Sequence, residues 1–285
     1  MWVTKASGKM EKYNPTKIKR TCIRAGASRE DADQIVKQVS ARVKNGTSTQ
    51  EILYMTLALL KKKVPSVGLK YDLKGAIMRI GPAGFVFEEM IAQILQEHGY
   101  TAKVHSMIKG GSGVIHEIDV IAGKSVSSQS GIESNIKYYS IECKYHNSPG
   151  IYTGLKDVLY TYARFLDLQD GFKKGYGPRF DQPWLITNTK FSPDVKQYAV
   201  AKGMRLLSWD YPRGESLPEL IEAKKLYPIT MLKNLDSNTQ GNLAKANIIF
   251  CKTLIETKVE KLNQKTGISI RKLNEFIEEA RRIIQ

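Results

Sequence analysis

Val114-Ile-His-Glu-Ile-Asp119-Val-Ile-Ala122 and Tyr139-Ser-Ile-Glu142-Cys-Lys144-Tyr145 decide the fold of this chain. Both are β-branched, apolar runs, and they flank a connection rich in Gly and Ser. That is the form of two neighbouring strands. Each run carries charge where a core strand should not. Alternation puts Glu142 and Lys144 on one face and Ile141, Cys143 and Tyr145 on the other. A carboxylate and an ammonium on a buried strand are costly unless they are paired or bound to something. Asp119 on the adjacent strand completes a cluster of two carboxylates and one lysine. Such a set suits phosphodiester hydrolysis. Hard cations such as Mg²⁺ or Mn²⁺ take carboxylate, water and phosphate oxygens, and a lysine can orient water or neutralise developing charge. The same residues would equally form a structural salt-bridge cluster between strands, and spacing alone leaves both readings open.

With Gly84-Phe-Val-Phe-Glu88 upstream, the stretch resembles the PD-(D/E)xK nucleases, and among them the Mrr-type restriction endonuclease-like family. Gly84 to Glu88 match that family's Gly-x-x-Phe-Glu helix, Asp119 its hairpin aspartate, and Glu142 and Lys144 its Glu/Gln-x-Lys strand. The resemblance implies Asp119 and Glu142 as Mg²⁺ ligands, Glu88 as an auxiliary ligand or orienting base, and Lys144 as the charge-stabilising or water-orienting group. It also implies an α/β core with a mixed sheet.

Outward from this core, the 285 residues suffice for two or three small domains, and the expected boundaries are 1–75, 76–212 and 213–285. The formal net charge is +16, and residues 1–75 hold 16 Lys and Arg against 6 Asp and Glu. A basic balance of this size points to anionic partners, DNA above all. No apolar run approaches the roughly 20 residues of a membrane span. Cys22, Cys143 and Cys251 lie too far apart to suggest a disulfide framework or zinc site. A cytoplasmic, homo-oligomeric protein is expected.

At the N-terminus a short strand, a Gly8 turn and a second short strand lead to a helix capped by Asn14 with Pro15 at its first position. Helical patterns follow at about 28–44 and 48–63, the latter with a Ser48/Glu51 capping box. Lys5, Gly8, Glu11, Tyr13, Asn14, Lys17 and Ile18 resemble the ATP-cone of ribonucleotide reductases and their repressor. This implies ATP or dATP as a regulator, held by Lys5, Lys9, Asn14 and Lys17 at a turn and a helix N-terminus. Ala6 and Ser7 depart from that family's pattern and remove contacts it would use. A basic helical cap that touches nucleic acid fits the same residues.

A linking helix is expected over Tyr71–Ile80, ending at Gly81-Pro82. Within the core, Phe87, Met90, Ile91, Ile94 and Leu95 form one helical stripe, and a strand is expected over Thr101–Ile108. Ile151 to Leu168 reads as a helix on which Tyr152, Lys156, Tyr160 and Arg164 recur every fourth residue. Two further strands, Pro183–Thr187 and Met204–Trp209, enclose a helix over Pro193–Lys202 in a βαβ pattern. His116 reads as a hydrogen-bonded strand residue, and Lys109–Gly113 as a turn. Asn188 to Lys190 sit where α/β sheets often place ligand contacts. Beyond Pro212 the chain is helical. Lys265-Thr-Gly267-Ile-Ser269 resembles a helix-hairpin-helix turn, with Ala246-Asn247-Ile248 as a degenerate counterpart in which Asn replaces Gly. Three functions follow: a metal-dependent DNA endonuclease of restriction or repair, regulated by a nucleotide; a nucleotide-responsive nucleic-acid-binding protein that does not cut; or a regulatory subunit of nucleotide metabolism, and the intact Asp119, Glu142 and Lys144 set favours the first.

Overall fold

The computed structural model describes residues 1–65, 67–68, 72–81, 84–127, 134–148 and 150–285. The chain divides into two compact units, one of residues 1–80, 148–150 and 225–285, the other of 81–147 and 151–224.

The second unit is built on a five-stranded sheet. Helix α5 (Gly84–Glu97) leads into β3 (Thr101–Lys109), β4 (Ile115–Ser127) and β5 (Ser134–Lys144), and α6 (Leu155–Lys173) crosses to β7 (Gln182–Thr187). Helix α7 (Pro193–Ala201) then leads to β9 (Arg205–Leu207). The strand order is β3-β4-β5-β7-β9. The first two pairings are antiparallel and the last two parallel, so the sheet is mixed. Parallel pairing needs crossover connections, here the helices α6 and α7. A two-stranded parallel pair, β6 (Tyr152–Thr153) with β8 (Lys190–Phe191), lies beside it. The expected apolar stripe Phe87, Met90, Ile91, Ile94 and Leu95 is buried throughout.

Three details differ from the sequence reading. Tyr152 and Thr153 pair as β6, so the helix expected from Ile151 begins at Leu155, where Gly154 N–H donates to Asp157 Oδ2 at 3.1 Å. Residues 213–224, expected with the tail, lie in the second unit. There α8 (Leu217–Ala223) buries Leu217 and Ile221, and the Leu220 carbonyl lies 3.0 Å from His98 Nε2. The linking helix is short, α4 (Leu73–Met78), and the expected ends Tyr71 and Pro82 lie outside the described residues.

In the first unit β1 (Trp2–Thr4) and β2 (Met10–Lys12) form a hairpin turned at Gly8, whose φ of +78° suits glycine. Asn14 caps α1 (Pro15–Arg24), and Thr16 N–H donates to its Oδ1. Helices α2 (Arg29–Ser40) and α3 (Thr49–Lys63) follow, the latter with the Ser48/Glu51 capping box in place. Val3, Ile18, Cys22, Ile35, Val39 and Leu60 form their common core. The same unit contains four helices at the C-terminal end: α9 (Ser237–Lys245), α10 (Cys251–Glu256), α11 (Val259–Thr266) and α12 (Ile270–Ile284).

Candidate active site

The site begins where the sheet comes apart. Pairing of β4 with β5 runs from Ser127–Ser134 to Val120–Ile141 and stops. One step further Asp119 and Glu142 would face each other, and there the strands share no ladder bond. The Asp119 carboxylate fills the gap, its Oδ2 accepting the Cys143 N–H at 2.7 Å. On the other edge of β4, pairing with β3 skips His105, the residue opposite Asp119. His105 has φ +50°, a left-handed conformation rare for a residue other than glycine. Asp119 is therefore flanked on both sides by interrupted ladders.

Strand β5 continues alone to Lys144 alongside β7, which holds Glu142 opposite Leu185 and Lys144 opposite Thr187. Glu142 is 5% exposed. Burying an ionised carboxylate requires partners, and Glu142 has two: Lys144 Nζ lies 2.6 Å from Oε1 and Arg164 Nη1 2.5 Å from Oε2. Arg164 comes from α6, whose buried residues Val158, Thr161 and Leu168 face the sheet. Its guanidinium also donates to the Glu117 carbonyl at 2.9 Å and to the Tyr160 hydroxyl. The Arg164 Nε is buried without a hydrogen-bond partner.

Glu88 enters from α5. Its Oε2 lies 3.3 Å from His105 Nδ1, and Glu117 Oε1 lies 3.4 Å from the same atom. Phe85 stacks on the His105 ring at 4.8 Å. Burial, and then the Glu142 carboxylate, push the Asp119 carboxyl up to about 7. Burial also raises Glu88, opposed by His105 and reinforced by Glu117 and Glu142. Burial alone would lower Lys144, but its bond to Glu142 raises it. The centre thus holds four carboxylates against two permanent cations, Lys144 and Arg164.

With all four carboxyls ionised, two negative charges are in excess on hard oxygen donors, which fits a divalent cation such as Mg²⁺ whose binding would favour the charged form of Asp119. Asp119, Glu142 and Glu88 are the residues that would hold it. With Glu142 turned to its two cations, no three His, Cys, Asp or Glu side chains among the described residues converge as a metal cluster.

Neighbouring residues have structural work. Asp167 of α6 accepts from Ser112 N–H and Ser112 Oγ at 2.7 Å each and lies 2.7 Å from His116 Nε2, which fixes the Lys109–Gly113 turn and places His116 in a packed pair. Asn188 accepts from His146 N–H and donates to the His146 carbonyl, a closed and buried exchange. Lys190 pairs with Asp210 at 2.7 Å. His105 was invisible in the sequence, because nothing in Lys103-Val-His-Ser-Met107 signals a left-handed residue. Arg164 carried a signal in the fourth-residue repeat along α6.

In the first unit, Lys5 and Lys17 both lie 3.0 Å from Glu11 Oε2, and this pairing holds the Glu11 carboxyl below its ordinary value against the opposing effect of burial. A cleft of about 240 Å³ is lined by Glu11, Asn14, Lys17 and Thr49 among others. Lys9 is exposed and does not line it. The Asn14 side chain is already engaged as the α1 cap. At the C-terminal end Gly267, φ +68°, joins α11 to α12, and Asn247, φ +61°, stands between α9 and α10. Both hairpin turns use the left-handed conformation. Only the first is open: Gly267, Ser269 and Ile270 are exposed, whereas Ile248, Ile249 and Phe250 are buried against a bridge between Pro228 and Phe250.

Residues 83–211 match a restriction endonuclease family model, and residues 227–284 match the model described as AF1548-like, C-terminal. An uncharacterised protein of Archaeoglobus fulgidus is 42% identical over 194 residues, 68% of this chain and 99% of its own length. The crystal structure of AF1548, a protein of unknown function, aligns at 40% identity and a TM-score of 0.58, over 71% of this chain and 98% of that one. The modification-dependent restriction endonuclease AspBHI aligns more distantly, at 10% identity and a TM-score of 0.35, over 76% of this chain and 40% of its own. By the family model over residues 83–211, the second unit contains a restriction endonuclease-like domain. Among the described residues no helix is long and apolar enough to cross a membrane.

Proposed function

This chain belongs to the family of AF1548, and we propose that its restriction endonuclease-like domain is a metal-dependent endodeoxyribonuclease. The observation that carries the reading is the break in the sheet, which delivers Asp119, Glu142 and Lys144 to one point beside Glu88 and Arg164. A bound Mg²⁺ or Mn²⁺ would supply Lewis-acid activation of water and of the scissile phosphate. The residues do the rest. Asp119 and Glu142 offer oxygen donors, with Glu88 as the auxiliary. Lys144 sits where it can orient water or neutralise charge developing on the phosphate. Arg164, held by the Glu142 carboxylate, the Glu117 carbonyl and the Tyr160 hydroxyl, keeps a positive charge beside the centre that a phosphate could meet. The open Gly267 hairpin, with Lys265 and Arg271 beside it, adds sequence-independent phosphate contacts.

Cleavage of plasmid DNA with Mg²⁺ or Mn²⁺ tests this reading, using methylated and unmethylated substrate. Asp119→Ala and Lys144→Ala should abolish cutting and keep DNA binding. Wild-type cutting by the Lys144 variant, in a preparation free of contaminating nuclease, removes the assignment. Binding without cutting by the wild type selects the non-cleaving nucleic-acid-binding reading, in which Lys144 and Arg164 neutralise Glu142 permanently.

The N-terminal module carries the second part of the proposal, a nucleotide such as ATP or dATP as regulator, supported by the cleft beside Asn14 and Lys17. Glu11 already occupies both Lys5 and Lys17, so a polyphosphate competes with an internal carboxylate, and Ala6 offers no extra charge. Weak binding is expected. Calorimetry that gives no heat with either nucleotide, together with unchanged cleavage, leaves this module a basic clamp for nucleic acid.

A further inference from the structure

The first unit holds a second and larger cleft, of about 440 Å³, between α3, the ends of α4 and the segment from Thr230 to Gln240. That size lies in the range of small-molecule sites. Its wall is apolar where Leu57, Met231, Leu232 and Leu235 meet, and Met231 and Leu232 are buried. Its charges do not cancel. Asp72 is taken by Arg79, whose Nη1 lies 2.8 Å from Oδ2, and Asp236 by Lys272 at 2.7 Å. Lys61 and Lys233 also line the cleft, and among the described residues no carboxylate forms an ion pair with either ammonium. Glu279 binds the Lys233 backbone N–H through both oxygens, at 3.1 Å each, and does not line the cleft. The stem of Lys61 is held in place. An added Cβ at Gly68 would lie 2.6 Å from Lys61 N and 2.7 Å from its Cγ, so glycine alone lets the chain pack this closely against it. Gln240 Nε2 donates to the Arg79 and Ile80 carbonyls at 2.7 and 2.6 Å, which fixes the amide and leaves its Oε1 as an acceptor.

We propose that this cleft binds a nucleoside monophosphate, with the phosphate held by Lys61 and Lys233 and the base and sugar resting on the apolar wall. The charge selects the ligand. A phosphate monoester carries about −1.5 to −2 at pH 7 and so matches two ammonium groups. A triphosphate would bring further negative charge towards Asp72 and Asp236, with no free cation left in the cleft to meet it. An uncharged nucleoside would leave both ammonium groups unpaired. The cleft shares no residue with the one beside Asn14 and Lys17, where Glu11 already neutralises the lysines. It also shares none with the Asp119 centre, so the inference stands apart from the nuclease reading.

Isothermal calorimetry of the full chain, without DNA or metal, provides the test, with AMP, GMP, CMP and UMP as probes. At least one should bind, and its nucleoside should bind about tenfold more weakly or worse. Lys61→Ala and Lys233→Ala, at exposed positions outside the core, should each raise the dissociation constant of that nucleotide about tenfold or more, the loss of one charge-assisted hydrogen bond. Lys61→Arg should keep most of the affinity, which separates loss of charge from loss of fold. No heat from any of the four at millimolar ligand overturns the proposal, as does wild-type affinity in both alanine variants. Heat that Lys17→Ala removes and Lys61→Ala keeps places the nucleotide beside Asn14 and overturns it too. A chain that binds the nucleotide through Lys61 and Lys233 and does not cut DNA supports this site and overturns the nuclease reading alone.

Discussion

Replacing Asp119 by Asn should stabilise the protein at neutral and alkaline pH. Burial and the neighbouring Glu142 raise this carboxyl from an ordinary 3.8 to about 7. Between those values the folded chain keeps a proton that the unfolded chain releases, so stability falls as pH rises. The contribution is fully present below about pH 3.8 and is lost as pH passes about 7. A shift of about three units at 1.36 kcal/mol each sets a ceiling on the order of 4 kcal/mol. Relaxation and water entry around a side chain that is not fully buried reduce this to about 2–4. Asn keeps the shape, and its Oδ1 can still accept the Cys143 N–H, so the variant removes charge and little else. Urea unfolding followed from pH 4 to 8.5 should show no gap between variant and wild type at the acid end and a gap of about 2–4 kcal/mol at pH 8, the variant being the more stable. Millimolar Mg²⁺ should narrow the gap by stabilising the wild type alone, as any ligand selective for the folded state does. A gap that is the same at pH 5 and pH 8, or a variant less stable at pH 8, would refute the reasoning.

Other perturbations have equally direct readouts. Arg164→Met strips one of two cations from a buried carboxylate and should cost about 3 kcal/mol in chemical denaturation. Arg164→Lys should recover little of this, because a single ammonium cannot reach Glu142, the Glu117 carbonyl and Tyr160 together. Gly267→Ala should cost about 1–2 kcal/mol through backbone strain alone, since the added Cβ meets nothing within 4 Å, whereas Asn247→Gly should be neutral or slightly stabilising by thermal melting. Lys265→Ala and Arg271→Ala should each reduce the slope of log affinity against log salt by about one, measured by fluorescence anisotropy on duplex DNA, if the open hairpin touches phosphates.

Much of this was legible because it depends on short-range chemistry. Alternation along β5 suffices to put Glu142 and Lys144 on one face. Asn14, Ser48 and Glu51 announce helix starts by side chains that reach their own backbone. Asn247 announces a left-handed turn because few other residues enter it cheaply. What stayed hidden depends on distant partners. Tyr152 and Thr153 continue a helical pattern, yet they pair with Lys190 and Phe191, nearly forty residues on. Pro212-Arg-Gly-Glu reads as a domain boundary, while Leu217 N–H returns to the Ser208 carbonyl at 2.9 Å. His105 is the plainest case. Its neighbours Val104 and Ser106 pair normally with Val120 and Ile118, so its left-handed backbone is fixed by the centre it faces and not by its local sequence.

The bond from Cys143 N–H to Asp119 has a spectroscopic consequence. Most sheet amides exchange with solvent deuterium at rates set by the opening of strands. This one is held by a carboxyl whose proton comes and goes near neutral pH. Once corrected for the intrinsic pH dependence of exchange, its protection should follow the charge of Asp119 while the amides of Ile141 and Ser140 remain indifferent to it. A single backbone amide, already present in the chain, can thus record from within the fold when the centre is charged and when a cation arrives.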